Sequence, residues 1–140
     1  MKTIISILMI FMAVQVYNIS YSQNNKTFNT VKIGTLEVTT EDFYDRDISW
    51  YTAVEMLEKI GQGWRLPTKE ELNVLYQNKD KIGGFEPTDK SAKYGYWSST
   101  EYGNDAAWWQ VFNAGNEQDG GQGASLKSST LFMRAVRDSK

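Results

Sequence analysis

Gly63-Trp64-Arg65-Leu66-Pro67-Thr68-Lys69-Glu70-Glu71-Leu72 is the stretch that says most about how this chain folds. Thr68 and Glu71 stand at the spacing of a capping box. The threonine hydroxyl accepts from the amide of residue 71, and the Glu71 carboxylate accepts in return from the amide of residue 68. Glu70 and Glu71 also place negative charge in a first helical turn, where the backbone dipole favours it. Leu72, Leu75 and Tyr76 then recur at helical spacing. They predict the buried face of a helix that Gly83-Gly84 brings to a stop.

The neighbouring segments extend this pattern. Upstream, Ser49 is placed as an N-cap, and Trp50, Ala53, Val54, Leu57 and Ile60 follow at helical spacing up to Gly61. Glu55 and Glu58 fall on the opposite, solvent face. Val31 to Val38 is β-rich and predicts a strand or short hairpin, joined by an acidic connection from Thr39 to Asp47. Downstream, Tyr94–Thr100 and Ala107–Phe112 predict two strands. Asn113–Gly123 predicts a flexible loop rich in glycine and side-chain oxygen, and Ser129–Arg137 predicts a last strand. The order gives an α+β domain over residues 31–140, with two early helices packed on a small antiparallel sheet with long loops.

The N-terminus has a different character. Lys2 precedes an uncharged run from Ile4 to Val16, and Ser20 and Ser22 provide small residues before Gln23. This predicts a secretory signal over residues 1–22, cleaved after Ser22, and a loose arm over 23–30. A membrane anchor is the rival reading, but a span needs about 17–25 apolar residues, and Gln15, Tyr17 and Asn18 interrupt this one. The expected destination is the periplasm, the cell surface or the medium, with no membrane span once the signal is removed.

Composition narrows the chemistry. The chain has 15 basic and 17 acidic residues, no histidine and no cysteine. A slightly acidic chain without a basic cluster is a poor match to nucleic acid. Without cysteine no disulfide supports the fold, so core packing must, and an aromatic share of 14% suits that task. Ser-His-Asp and Cys-His nucleophile systems and His- or Cys-ligated zinc are excluded. Carboxylate, lysine or tyrosine catalysis and oxygen-ligated calcium remain open, and the composition favours no catalysis and no cofactor.

Several motifs together resemble a known family. Trp50-Tyr51-Thr52-Ala53 followed by Gly63–Leu72 resembles the "W-x-x-A … G-W-R-L-P-T-x-x-E-L" core of the Lcl C-terminal domain family. Tyr96-Trp97-Ser98-Ser99-Thr100 matches its "Y-W-S-S-T" segment. Arg134-Ala135-Val136-Arg137 matches its closing "V-R-x-V-R", with Met133 in place of the first valine. The likeness runs from about Leu36 to Arg137. A weaker similarity extends to the formylglycine-generating enzymes, whose chemistry rests on active-site cysteines that this chain lacks. The resemblance implies a C-type-lectin-like fold. It also implies binding of extracellular polyanionic glycans, sometimes by an oligomer, in bacterial surface or secreted proteins.

Candidate residues fall into two groups. Trp50, Trp64, Arg65, Thr68, Glu71, Trp97 and Arg134 are expected to be structural. Arg65 should fix the entry to the second helix, and Arg134 points where a core face should be and so needs a partner. A ligand site is expected on the loop side, from Tyr94, Tyr96, Tyr102, Asn104, Asp105, Trp108, Trp109, Asn116 and Asp119. Trp108 and Trp109 are adjacent in a strand and therefore face opposite sides of the sheet. If one face is open, one indole with a neighbouring tyrosine can stack on a sugar. Glu86-Pro87-Thr88-Asp89 with Asn104-Asp105 is the arrangement considered for calcium. The expected ligand is an extracellular glycan, with a surface protein as the alternative partner and a carboxylate-based hydrolase as the third reading.

Overall fold

A computed structural model describes residues 27–42, 47–85, 95–112, 115 and 118–140. The expected signal segment, Tyr94, the Glu86–Asp89 motif and Asn116 lie outside the described residues. Among the described residues the fold is α+β, with three helices and small antiparallel sheets. Strands β1 (Thr30–Ile33) and β2 (Leu36–Thr39) form a hairpin around Gly34, whose φ of 59° suits glycine. The last strand, β8 (Val136–Asp138), pairs with β2 and completes a three-stranded sheet.

The helix signals operate as read. Helix α1 (Trp50–Ile60) begins at Ser49, whose side chain accepts from the Thr52 amide, and ends at Gly61. Helix α2 (Lys69–Gln77) carries the complete Thr68–Glu71 capping box. It does not run on to Gly83. The chain turns at Asn78 into a separate short helix, α3 (Lys79–Ile82), which Gly83 ends.

Strands β4 (Gly95–Tyr102), β5 (Ala106–Val111) and β6 (Gln122–Leu126) form the central sheet in that order. Its two faces carry two cores. Trp97, Ala107 and Trp109 face the cluster built with Ala53, Leu57 and Ile60 of α1, Trp64 and Leu66. Tyr96 and Phe112 face the other, built with Leu72 and Leu75 of α2, Phe85 and the β1–β2–β8 sheet. Between Trp97 and Glu101 the β4 register shifts against β5. This bulge meets the entry to α2: Ser99 N–H donates to Pro67 O (2.7 Å), and Lys69 N–H donates to Thr100 Oγ1 (2.9 Å). The "Y-W-S-S-T" and "R-L-P-T" motifs are thus two halves of one joint.

Two expectations need correction. Ser129–Arg137 is not one strand. It supplies β7 (Thr130–Leu131), paired with the two-residue β3 (Ile48–Ser49), and then β8. Met133, Arg134 and Ala135 between them are all buried, which a strand with one wet face does not allow. Second, the residue 113–123 loop stops short, because Gln122 and Gly123 already belong to β6. Gly123 lies beneath the Trp109 indole, where a Cβ would stand 2.7 Å from Cζ2. That packing makes a strand of a segment with little β-propensity.

Candidate functional site

The structural group is built from local partners. Arg65 holds Glu71 in a two-pronged pair, Nη1 to Oε2 at 2.7 Å and Nη2 to Oε1 at 2.9 Å, and its Nη2 also donates to Asp138. Arg65 thereby links the α2 cap to β8. The Arg65 guanidinium and then the Thr68 amide hold the Glu71 carboxyl below the usual carboxylate range, against partial burial that would raise it. A depressed native pKa stabilises the fold above the unfolded-state value and is lost as pH falls through the native one. Glu71→Gln is therefore expected to be less stable than wild type at neutral pH. The gap should close on acidification from about pH 5 downward. Urea unfolding of both proteins across that range measures it, and a gap independent of pH would contradict the assignment.

Trp97 donates its indole N–H to Ile48 O (2.9 Å), and Trp50 donates to Ser98 O (2.8 Å). Trp64 packs edge-on against Phe28 and beneath the Arg137 guanidinium. Arg134 is fully buried. It reaches Asp42 through Nε and Nη2, and the Thr39, Gly83 and Gly84 carbonyls through its two Nη atoms. Its plane lies 3.9 Å from the Phe85 ring centroid.

The expected ligand residues do not all converge. Tyr96 must be withdrawn from that set: it is fully buried in the α2-side core, and its hydroxyl donates to Asp42 (2.6 Å). Trp109 packs into the α1-side core, with its indole nitrogen shielded from solvent. Asp119 is held by Lys79 (2.8 Å), whose pKa it raises. Asn104 and Asp105 are exposed in the β4–β5 turn, but both of their backbone carbonyls accept from Lys127, one from the ammonium and one from the amide.

Tyr102 and Trp108 do come together, edge to face with ring centroids 5.3 Å apart. Register explains it. Tyr102 lies opposite Ala106, Ala106 opposite Leu126, and Trp108 opposite Ala124, all on one sheet face. α2 covers only the other half of that face, so Tyr102 is 58% and Leu126 59% exposed. Lys69 stands at the boundary, with its ammonium 3.4 Å from the Trp108 ring centroid. Beyond it lies a polar cleft of about 390 Å³, lined by Lys69, Glu70, Asn73, Gly120 and Gln122. The Gln110 amide donates to Asn73 Oδ1 and Gly120 O, and Gln122 donates to Gln110 Oε1 and Lys69 O, which fixes the cleft floor.

Lys69, Asn73, Gln110 and Gln122 were not among the expected site residues. One signal was available: a lysine at the first helical position opposes the dipole, and here the indole face takes its charge. Lys127 was missed as well. It is buried against Trp50, pairs with Glu101 at 2.6 Å and fastens the β4–β5 turn to α1. Among the described residues no group of three acidic side chains is placed to hold a metal ion, and no helix is long and apolar enough to cross a membrane.

An α+β domain whose central sheet bears a half-covered aromatic face is the class that fold and site define. The chain belongs to the Lcl C-terminal domain family, whose model matches residues 18–137. No curated protein matches it.

Proposed function

We propose that this chain is a secreted or cell-surface, non-catalytic binding module with a C-type-lectin-like fold, and that its ligand is an extracellular glycan. The family membership and the early placement of the helices support the fold reading, and residues 1–22 support export. The observation that carries the ligand reading is the Tyr102–Trp108 pair, open on one sheet face beside a cleft floored by amides. Aromatic rings stack on the apolar faces of sugars, and fixed amides meet hydroxyls in directional hydrogen bonds. Lys69 shields one indole face at rest. Its flexible stem lets the ammonium swing to the rim and donate there. Glu71 is committed to Arg65 and to the cap, so Glu70 and Glu71 do not form a free acid pair, which supports a binder over a hydrolase.

The test is a glycan array on the exported protein, with and without calcium, followed by titration of the best ligand. Trp108→Ala is expected to weaken binding tenfold or more, on the order of 1.4 kcal/mol, with an unchanged far-ultraviolet spectrum. Uniformly null arrays would sink the glycan reading. The same aromatic face, with Tyr102 and Leu126 exposed, would then serve a protein partner in surface assembly.

A further inference from the structure

Among the described residues, the outer strand of the central sheet lacks the devices that normally blunt a sheet edge. Charges, proline, bulges or cover keep such edges from pairing. β1 carries the exposed Lys32, β8 carries Arg137 and Asp138, and β4 is bulged and bridged by Phe132. β6 reads Gln122-Gly123-Ala124-Ser125-Leu126, with no charge and no proline.

Its register shows which backbone groups are on offer. Val111 N–H donates to Gly121 O, and Lys127 N–H donates to Asp105 O. Odd-numbered positions of this strand therefore exchange bonds with β5. The N–H and C=O groups of Gln122 and Ala124 and the N–H of Leu126 point the other way, along the open edge, while Leu126 O accepts from Ser129 N–H in the turn that follows. All three residues are exposed.

We propose that β6 pairs antiparallel with β6 of a second copy of this chain, about a two-fold axis at Ala124. A two-fold contact sets Ala124 against itself and Gln122 against Leu126 of the other copy. A charge at position 124 would meet its own sign there, and β6 carries no charge at any position. The charges that flank it are already paired, Lys127 with Glu101 and Asp119 with Lys79. A methyl side chain at the axis leaves room for the two strands to approach.

The geometry has a functional consequence that rests on the glycan reading. Residues opposite each other in an antiparallel pair share a face. Both Trp108 rings therefore point to the same side of one continuous sheet, in the row that crosses both copies of Ala124. They stand about 14 Å apart, three strand spacings. A repetitive ligand reaches both, and the second contact forms at high effective concentration.

An edge contact of this length is small against the roughly 1,200–2,000 Å² of a stable interface, so the test traps it. The chain has no cysteine, which makes Ala124→Cys a single-thiol protein. Hydrogen-bonded antiparallel pairs place their Cα atoms about 5.5 Å apart, within disulfide reach. Under mild oxidation Ala124→Cys is expected to run as a disulfide-linked dimer, while Glu58→Cys on the exposed face of α1 stays mostly monomeric at the same concentration. Sedimentation equilibrium of the wild-type protein should show concentration-dependent dimer that Ala124→Lys abolishes with its fold intact. Equal cross-linking at positions 124 and 58, or a wild-type protein that is monomeric up to high micromolar concentration, would overturn the proposal. A trapped dimer with a null glycan array defeats only the glycan reading. A monomer that binds glycan defeats only the dimer.

Discussion

Replacing Arg134 with methionine is expected to lower the folding free energy by about 3–5 kcal/mol, because it leaves a buried carboxylate without its counter-charge. Arg134 joins four places that are distant in sequence: the end of β2 at Thr39, Asp42 in the following connection, the exit from α3 at Gly83-Gly84, and the Phe85 ring. Methionine fills most of the volume and stacks on Phe85. It leaves three carbonyls and Asp42 to the Tyr96 hydroxyl and whatever water can enter. Lysine carries the charge, but one ammonium cannot serve a fork of this width, so Arg134→Lys should recover only a small part of the loss. Against a total of about 5–15 kcal/mol for such a domain, the methionine variant lies close to unfolding at body temperature. Urea titration measures the effect as a fall in midpoint with little change in slope. A loss below about 1 kcal/mol would show that the network contributes little net stability. Asp42→Leu in the same background should cost less than it does alone, since the two residues share one interaction.

The parts of this fold that were legible in the sequence are those whose causes are local. Ser49 and Thr68 cap helices through residues three positions away, so their spacing alone announces them. Phe132, Arg134 and Val136 alternate as one strand would, yet the tail forms two. The buried run Met133-Arg134-Ala135 reflects a demand made from outside, by Asp42 and the α3 exit. β6 was invisible for a related reason. Its glycine, glutamine and serine have little strand propensity, and the Trp109 ring that selects Gly123 belongs to the neighbouring strand.

The site was legible in its chemistry more than in its extent. Alternation placed Trp108 and Trp109 on opposite faces, and the structure separates them so. Alternation could not divide Tyr96 from Tyr102. The two tyrosines lie on the same sheet face, and what separates them is where α2 stops covering it. That limit depends on how Leu72 and Leu75 seat against Tyr96 and Phe112, a packing choice without a local sequence signature. The amides of Asn73, Gln110 and Gln122 become a cleft floor only once three separate elements are brought together.

Trp97→Ala is expected to be as damaging as the loss of Arg134, and for a contrasting reason. Trp97 is fully buried on the α1-side face, so truncation opens a cavity and removes apolar contact, at a cost of about 3–5 kcal/mol. Its indole N–H is also the tie to Ile48 O, and Ile48 belongs to a two-residue strand whose only strand partner among the described residues is β7. So short a ribbon has little stability of its own. Trp97→Phe separates the two contributions. Phenylalanine keeps most of the ring packing but withdraws the donor, leaving a buried carbonyl unpaired at about 1–3 kcal/mol. Hydrogen exchange distinguishes global from local loss. In the phenylalanine variant, the amides of the β3–β7 ribbon should lose protection well before those of β4 and β5. Uniform loss would instead make Trp97 a packing residue alone. Tyr96 and Trp97 are consecutive, yet they face different cores. Arg134→Lys, which acts through the Tyr96 side, and Trp97→Phe are therefore expected to add to within about 0.5 kcal/mol. A coupling well above that would mean that β4 transmits strain between the two cores rather than dividing them.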